Sequence, residues 1–316
     1  MSEIKLFSIK NDVKQLIPSE VLLEKELQNL IEDNMEKFFG VRFLKSEYVI
    51  TNGRMDSIGI DENNCPVIVE YKRSSNENII NQGLFYLDWL LDHKDAFHML
   101  VAEKYGYEYV KNIDWSAPCV ICIASNFTRY DIHAINQMQK NIKLVKYKKY
   151  SNDLILFEHL NSPKVENIVH QKDLISRKNN NYKTHVEKLK TVPEKINILY
   201  DSICNYIESL GDDIESNQLK YYLAYKKVQN MACIELYNKY VAIYLKLNPD
   251  KIKLEEGFTR DMRNIGHYGT GDLEIIIKDE QSFEKAKSLI EKAYNEMLNC
   301  TPKVGHKTTF GGAVFL

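Results

Sequence analysis

The order of short apolar runs and amphipathic segments between residues 19 and 159 is the feature that most constrains the fold. A helical pattern comes first, three β-like runs follow, and helical and β-like segments then alternate. Interleaving of this kind indicates a mixed sheet with helices packed on it. The sequence therefore predicts an α/β (α+β) class with an αβββαβ core. The predicted strands are 42–50, 54–60, 66–72, 118–124, 142–149 and 153–159, and the predicted helices are 19–39, 76–92 with a continuation to residue 104, and 129–140.

A polar stretch divides the chain in two. Residues 161–193 carry seven Lys and Arg against three Asp and Glu, and include three consecutive asparagines. This composition is typical of a linker or a charged connecting helix. We therefore expect a first domain over 1–160, a basic polar linker over 161–193, a smaller α+β domain over 194–300 and a tail over 301–316.

Composition excludes several classes of protein. With 316 residues, 44% hydrophobic and 27% charged, the chain has ordinary globular usage, which rules out a collagen-like or wholly disordered protein. The six cysteines are scattered, as expected of reduced thiols. No apolar run approaches a membrane span, and the first residues lack the apolar stretch of a secretory signal. We expect a soluble, cytoplasmic protein without membrane contact.

Two adjacent predicted strands carry charged residues on their apolar faces. Asp56 shares its face with Ile58. Glu70 and Lys72 share theirs with Ile68. Buried charges are costly unless they are paired or bind a metal, and two carboxylates on a rigid sheet suit Mg²⁺. This hairpin is a candidate divalent-metal site; a structural ion pair at the end of the sheet is the alternative.

Two predicted helices carry polar residues that break or border their apolar faces. Glu24 falls inside the apolar arc of helix 19–39, and Glu26 falls at its edge. Such a break in the binary pattern often marks function. On helix 76–92, Gln82 and Tyr86 are four residues apart and therefore lie on one ridge.

Four short motifs carry a family resemblance: Gly53-Arg54-Met55-Asp56, Val69-Glu70-Tyr71-Lys72-Arg73, Gln82 with Tyr86, and the acidic helix start Glu24-Lys25-Glu26-Leu27. They resemble the PD-(D/E)XK nuclease superfamily and, within it, the nuclease domain of the NucS endonucleases of archaea and actinobacteria. The first two motifs are similar to the Gly-Arg-Ile-Asp and Val-Glu-Leu-Lys-Arg of that family. The likeness covers residues 20–160 and implies a restriction-endonuclease-like core.

The resemblance implies a metal-dependent endonuclease that hydrolyses phosphodiester bonds. Asp56, Glu70 and the main-chain carbonyl of Tyr71 would hold Mg²⁺ or Mn²⁺, which polarises the scissile phosphate and lowers the pKa of a bound water. Lys72 would orient that water and stabilise charge in the transition state. Glu24 would complete the metal or water shell.

The resemblance also implies roles for the second helix and for a second copy of the chain. Gln82 and Tyr86 would position the phosphate or a water molecule. Nucleases of this kind often pair to cut both strands, so the resemblance is compatible with a homodimer, although the sequence does not fix the oligomeric state. Tyr71 departs from the apolar residue of the NucS pattern, although only its main chain would matter for metal binding.

Basic residues suggest how nucleic acid is held. Lys146 and Lys148 lie on one face of a predicted strand that also carries tyrosines, and Arg54 and Arg73 flank the acidic motifs. Lysines suit phosphates and tyrosines suit bases. We expect nucleic acid as the partner, with DNA favoured over RNA. A solvated edge strand is the alternative reading of the lysine-rich segment.

The C-terminal half resembles a bacterial domain family of unknown function, best over Arg263–Asp272. That likeness assigns no activity. Two alternatives to an active nuclease therefore stay open at this point. The chain could be a non-catalytic nucleic-acid-binding protein on a nuclease-like scaffold, and 194–316 could bind a protein partner in a repair or defence system.

Overall fold

The computed structural model describes seven segments of the chain: 4–9, 12–19, 22–73, 79–138, 140–150, 154–161 and 183–298. The chain divides into two compact units, Met1–Glu166 and Asn167–Leu316. Most of the expected linker, from 162 to 182, and the expected tail, 301–316, lie outside the described residues. Over the described segments, every helix is too short or too polar to cross a membrane.

The first unit contains a six-stranded sheet and a separate two-stranded ribbon. Its strands are β1 (Leu6–Ser8), β2 (Lys14–Leu16), β3 (Val41–Ile50), β4 (Gly53–Asp61), β5 (Pro66–Lys72), β6 (Cys119–Ala124), β7 (Ile142–Tyr150) and β8 (Leu154–His159). β1 and β2 form the ribbon, and the others lie in the order β3-β4-β5-β6-β7-β8. The sheet is antiparallel from β3 to β5, parallel from β5 to β7, and antiparallel again at β8. The predicted α/β class is therefore confirmed.

The helices described for this unit are α1 (Glu24–Glu32), α2 (Met35–Phe39), α3 (Ile79–Asp92), α4 (Lys94–Tyr105), α5 (Tyr107–Val110) and α6 (Arg129–Gln137). The single helix predicted over 19–39 is wrong in two respects. It begins five residues later, because Ser19 hydrogen-bonds the main chain of Lys149 instead of capping a helix. It is also interrupted between α1 and α2, and Gly40 ends α2 with φ 66°.

The sheet is covered on both faces, which explains the unbroken apolar run of β5. Val69 packs in one cluster with Leu27 and Ile31 of α1. Ile68, on the opposite face, packs in a second cluster with Leu87 of α3. Alternate residues of β5 therefore contribute to two separate cores, and Glu70 and Lys72 continue the face that carries Ile68.

Helix α3 approaches the sheet closely at Gly83. A Cβ atom at this position would lie 2.7 Å from Cγ1 of Val120 on β6, closer than real Cβ atoms come to their neighbours. The lack of a side chain therefore sets how deeply α3 sits against the sheet. Gln82 immediately precedes this contact, so the depth of the helix also fixes the position of the Gln82 main chain.

Over residues 183–298, the second unit contains the α-helices α7 (His185–Leu189), α8 (Glu194–Ser209) and α9 (Glu280–Leu298), and the strands β9 (Glu215–Gln218), β10 (Leu223–Lys226), β11 (Asn230–Leu236), β12 (Val241–Leu245), β13 (Thr259–Asp261) and β14 (Leu273–Ile277). The strands form one antiparallel sheet in the order β13-β14-β12-β11-β10-β9. Apolar residues of α8 and α9 share one core with this sheet.

The second unit begins earlier than the expected boundary at residue 194. Thr184 caps α7 by accepting a hydrogen bond from the Glu187 N–H. Lys188 of α7 forms an ion pair with Glu235 of β11, with Nζ and Oε1 2.8 Å apart. This part of the expected linker therefore packs on the second sheet.

Candidate active site

Asp56 and Glu70 face each other where β4 and β5 stop pairing. The ladder between these strands extends to Ser57 and Val69. Beyond it, the Asp56 N–H donates to Glu70 Oε1 at 3.1 Å, and the Tyr71 N–H donates to Asp56 Oδ2 at 3.0 Å. Each carboxylate thus accepts a hydrogen bond from the main chain of the opposite strand. We call Asp56 and Glu70 the carboxylate pair.

Glu70 is the more deeply buried member of the carboxylate pair, with none of its surface exposed. Burial, and next the negative charge of Asp56, raises the pKa of Glu70 to about 9. Burial also raises the pKa of Asp56, although the Tyr71 N–H and the Lys72 charge oppose this shift. The negative charge of one buried carboxyl group favours the protonated form of its neighbour. With no metal ion bound, the raised pKa of Glu70 therefore favours one retained proton on the carboxylate pair at neutral pH.

Lys72 supplies positive charge beside the carboxylate pair. Its side chain is only 13% exposed, and its Nζ lies 3.3 Å from Glu24 Oε1 at the start of α1. Its charge acts to lower the pKa of both carboxyl groups. The structure therefore brings the predicted residues Glu24, Asp56, Glu70 and Lys72 together at one end of β5.

Gln82 and Tyr86 connect α3 to the start of β4. Gln82 Nε2 donates to the Tyr86 hydroxyl at 3.0 Å, and the same hydroxyl accepts from the Arg54 N–H at 3.3 Å. Gly53 permits this contact, since a Cβ there would lie 2.7 Å from the Tyr86 ring. Within the described segments, the hydrogen bonds of this pair reach the chain two residues before Asp56, not the carboxylates themselves.

The donor set determines how a cation could be held. No group of three or more His, Cys, Asp or Glu side chains suited to a metal occurs in the described part of the chain. A cation here would use the carboxylate pair and a main-chain carbonyl, for which Tyr71 is the candidate. Glu70 Oε2 is buried and has no hydrogen-bond partner among the described groups. Oxygen donors with one such unsatisfied atom fit a hard divalent cation.

The two arginines proposed to contact nucleic acid lie near the site but face different surroundings. Arg54 is exposed and forms an ion pair with Glu47, with Nη1 and Oε2 3.3 Å apart. Lys25 contacts the other oxygen of the same carboxylate, Oε1. Arg73 is exposed, and its main-chain carbonyl accepts from the Ser125 hydroxyl at 2.6 Å. Arg54 would have to leave its ion pair to bind a phosphate.

Lys146 lies in the same register row of the sheet as Lys72. Lys72 pairs with Ala124 of β6, and Ala124 pairs with Lys146 of β7. Lys146 is thus two strands away on the same face, and Lys148 follows it along that face. The edge-strand reading is wrong, because β8 pairs with β7 along its outer side.

Sequence reasoning missed one buried polar residue beside the site. Gln28 of α1 is 5% exposed, and its Nε2 donates to the main-chain carbonyl of Asp56 at 2.9 Å. The signal was present, because Glu24, Gln28 and Glu32 are spaced four residues apart and form one polar ridge beside the apolar face of α1.

The fold and site define a two-unit protein whose first unit carries a buried pair of carboxyl groups and a lysine at the end of a mixed sheet. A protein of Haemophilus influenzae (strain ATCC 51907 / DSM 11121 / KW20 / Rd), described as an uncharacterized protein, is 31% identical over 302 residues. The alignment covers 93% of this chain and 100% of that protein. The chain belongs to the family of this protein.

Two further comparisons each concern part of the chain. A family profile described as "Domain of unknown function (DUF5655)" matches residues 170–296. A repair endonuclease from Pyrococcus abyssi is 17% identical, with 45% of this chain and 65% of that chain covered and a TM-score of 0.27. EndoMS in complex with double-stranded DNA is 21% identical, with 42% and 50% covered and a TM-score of 0.24. The chain spans less than two thirds of each solved protein.

Proposed function

We propose that the chain is a metal-dependent endonuclease of the PD-(D/E)XK type that hydrolyses phosphodiester bonds in DNA. One observation carries the proposal: Asp56 and Glu70 are buried together beside the Lys72 ammonium, and Glu70 Oε2 has no partner among the described groups. Burying two acids destabilises the folded protein unless their negative charge binds a cationic ligand. A divalent cation satisfies both carboxylates.

Mg²⁺ or Mn²⁺ would be held by Asp56, Glu70 and the Tyr71 carbonyl, and when bound it would polarise the phosphate and lower the pKa of a water molecule. The Tyr71 N–H fixes Asp56 through Oδ2, and the Asp56 N–H fixes Glu70 through Oε1. Glu70 Oε2, which has no hydrogen-bond partner among the described groups, is left for the ligand. The arrangement is thus preorganised by the main chain of the two strands.

The remaining side chains stabilise charge or position other groups in this proposal. Lys72 places an ammonium where negative charge develops on the phosphate, and Glu24 holds that ammonium in place. Gln82 and Tyr86 keep the start of β4, and so Asp56, at a fixed distance from α3. The proposed roles of Gln82 and Tyr86 are therefore positional.

Removing the Asp56 carboxylate tests this function directly. The full-length protein should cut DNA with Mg²⁺ and not with EDTA, and Asp56→Asn should lower the cleavage rate at least about 100-fold. Asp92→Asn, which changes an exposed acid at the end of α3, is the matched control and should cut normally. Cleavage is measured on single-stranded, duplex, mismatched and branched DNA, and on RNA.

The outcome separates the two functional classes. Metal-dependent cleavage that depends on Asp56 supports the nuclease. If the wild-type protein binds DNA, cuts none of these substrates and binds no Mn²⁺, it is instead a non-catalytic nucleic-acid-binding protein on this scaffold.

The basic face of β7 provides a test of substrate binding. Changing Lys146 and Lys148 together to alanine should weaken DNA binding. The slope of log K, where K is the association constant, against log salt concentration should become less negative by about 2, because each lysine that neutralises a phosphate contributes about −0.9. Lys37→Ala with Lys111→Ala removes two exposed lysines from other surfaces and should leave the slope unchanged. Binding is measured by fluorescence anisotropy in Ca²⁺ at several salt concentrations. An unchanged slope in the β7 variant would exclude these lysines from the interface.

Two expectations for the whole chain are part of the proposal. Homodimer formation would bring two sites to one duplex, and light scattering of the full-length protein measures it. A protein partner for 194–316 would be captured by the full chain and lost on substitution of exposed residues in that region.

A further inference from the structure

The polar ridge of α1 contacts the site at three successive points. Glu24 contacts Lys72, Gln28 contacts the Asp56 main chain, and Glu32 accepts a hydrogen bond from Ser57. A ridge of residues four apart would ordinarily face solvent beside an apolar stripe. Here it lies against β4 and β5, where the carboxylate pair is located.

Gln28 completes the main-chain hydrogen bonding of Asp56. The register between β3 and β4 passes from Ser46–Ser57 to Tyr48–Met55 and omits Asp56 and its opposite residue Glu47, which has φ 47° in the left-handed region. The ladder to β5 also ends before Asp56. The Asp56 N–H therefore donates to the Glu70 side chain, and the Asp56 carbonyl accepts from Gln28 Nε2 at 2.9 Å.

The orientation of the Gln28 amide is fixed from both ends. Its Oε1 accepts from Lys25 Nζ at 3.2 Å. Its Nε2 lies 2.9 Å from Glu32 Oε1 and 3.1 Å from Ser46 Oγ, in addition to the Asp56 carbonyl. Buried amides with satisfied hydrogen bonds on both atoms hold one rotamer.

A second limb of the same network reaches Tyr71. Ser57 Oγ donates to Glu32 Oε1 at 2.6 Å. Because the Ser57 proton is used there, the Tyr71 hydroxyl is the donor in its 3.1 Å contact with Ser57 Oγ. Ser57 and Tyr71 are fully buried, so these bonds are not shared with solvent. Tyr71, the departure from the NucS pattern, thus has a role for its side chain.

We infer that Gln28 and the Tyr71 hydroxyl are positioning residues, which act through Glu32 and Ser57 to hold the Asp56 and Tyr71 main chains at a fixed separation from α1. The consequence for catalysis rests on the proposed nuclease function. The structural part does not depend on that function, because it concerns the two hydrogen bonds from the Asp56 and Tyr71 N–H groups to the carboxylates of Glu70 and Asp56. Neither Gln28 nor the Tyr71 hydroxyl contacts substrate in this inference.

Two side-chain changes of matched shape test the inference in the full-length protein. Gln28→Met removes the amide at similar length, and Tyr71→Phe removes only the hydroxyl. Both should increase hydrogen exchange at the Asp56 and Tyr71 amides about 10-fold or more, with no change in β6. Asn29→Ala, at the exposed neighbouring position of α1, is the control and should change neither amide.

The same variants should alter turnover without altering substrate binding. We expect kcat to fall about 10-fold to 100-fold while KM for DNA stays within about 2-fold, because misplacement of a reacting group affects the chemical step. The double variant should lose less than the product of the single losses, as members of one network do. A double variant whose loss of kcat equals the product of the single losses would contradict a shared positioning role, and so would a change in KM alone.

The two readouts separate the inference from the proposed function. Unchanged exchange at both amides in both variants overturns the inference whether or not DNA is cut. Normal kcat in both variants, with Lys72→Ala inactive, also overturns it and leaves the nuclease intact. Faster exchange in a protein whose wild type cuts no DNA supports the structural inference and overturns the nuclease. Ser57→Ala, which breaks the network at its centre, replaces either variant that fails to fold.

Discussion

Replacing Lys72 with alanine should lower the rate of Mg²⁺-dependent DNA cleavage about 10²-fold to 10³-fold, the usual effect of removing one preorganised group that stabilises transition-state charge. Lys72 is nearly buried and adjoins the carboxylate pair, so bulk solvent cannot replace its charge efficiently. DNA affinity should change little, because one phosphate contact is a small part of the total. Single-turnover cleavage and anisotropy measure the two effects separately.

Two controls make this result specific. Lys37→Ala removes an exposed lysine of α2 and should cut at the wild-type rate. Circular dichroism of Lys72→Ala should match the wild type, since the side chain packs at the end of a strand and not within a core. Cleavage by Lys72→Ala within about 3-fold of the wild-type rate would remove Lys72 from the chemistry.

Replacing Glu70 with glutamine should have two opposite effects. Cleavage should be lost, because a carboxylate of the proposed metal site is removed. The metal-free protein should become more stable by about 3 kcal/mol at pH 7, since the folded state no longer has to keep a buried carboxyl group protonated beside Asp56. Chemical denaturation in EDTA measures the free energy of unfolding of the first unit.

The pH dependence gives the sign of this effect. The folded-state pKa of Glu70, about 9, lies above its unfolded value of 4.5. Below pH 4.5 both states are protonated, and Glu70 costs the folded state nothing. As pH rises from 4.5 towards 9, the unfolded state releases this proton and the folded state does not, so the wild type loses stability. The difference between Glu70→Gln and wild type should therefore be near zero at pH 4 and grow up to pH 9.

Metal and a surface control complete this prediction. Excess Mg²⁺ should stabilise the wild type and narrow its difference from Glu70→Gln, because a ligand bound only by the folded state adds to stability. Glu103→Gln, an exposed change on α4, should stay within about 0.5 kcal/mol of wild type. A difference that does not change between pH 4 and pH 8 would show that Glu70 is ionised in the folded protein.

Much of the first sheet could be predicted because its strands have strong local signals. β5 matches its predicted range, 66–72. A short continuous apolar run that ends in charged residues is compatible with few structures other than a buried strand. The helix predicted over 19–39 is divided into α1 and α2, and apolar spacing did not reveal the division because it continues across the break. Periodicity indicates which face is buried, but it does not indicate where the chain bends between two short helices.

The site was predictable where side chains belong to one hairpin, and less so where other elements contribute. Asp56, Glu70 and Lys72 follow from strand alternation alone. Gln28 could not be assigned in the same way, because its partner is a main-chain carbonyl left unpaired by an irregularity at Glu47. Sequence patterns indicate which side chains are buried. An unpaired main-chain group in a β-ladder can be recognised only when the strand register is known.

The second unit shows the same limit. Local composition does not mark the interval between β9, which ends at Gln218, and β10, which begins at Leu223. The polar composition that predicted a linker up to residue 193 also contains α7, whose Lys188 meets a partner 47 residues away. Local composition does not reveal such distant pairing.

Because Gly83 has no side chain, adding a single methyl group at this position would change the position of α3 and of Tyr86, which α3 carries. Alanine there would favour the helix by about 1 kcal/mol in intrinsic propensity, yet it would drive α3 away from Val120. The hydroxyl that α3 presents to β4 would retreat with it. A single substitution at position 83 would therefore change both the stability of α3 and the distance between the Tyr86 hydroxyl and β4, without altering any charged group of the site.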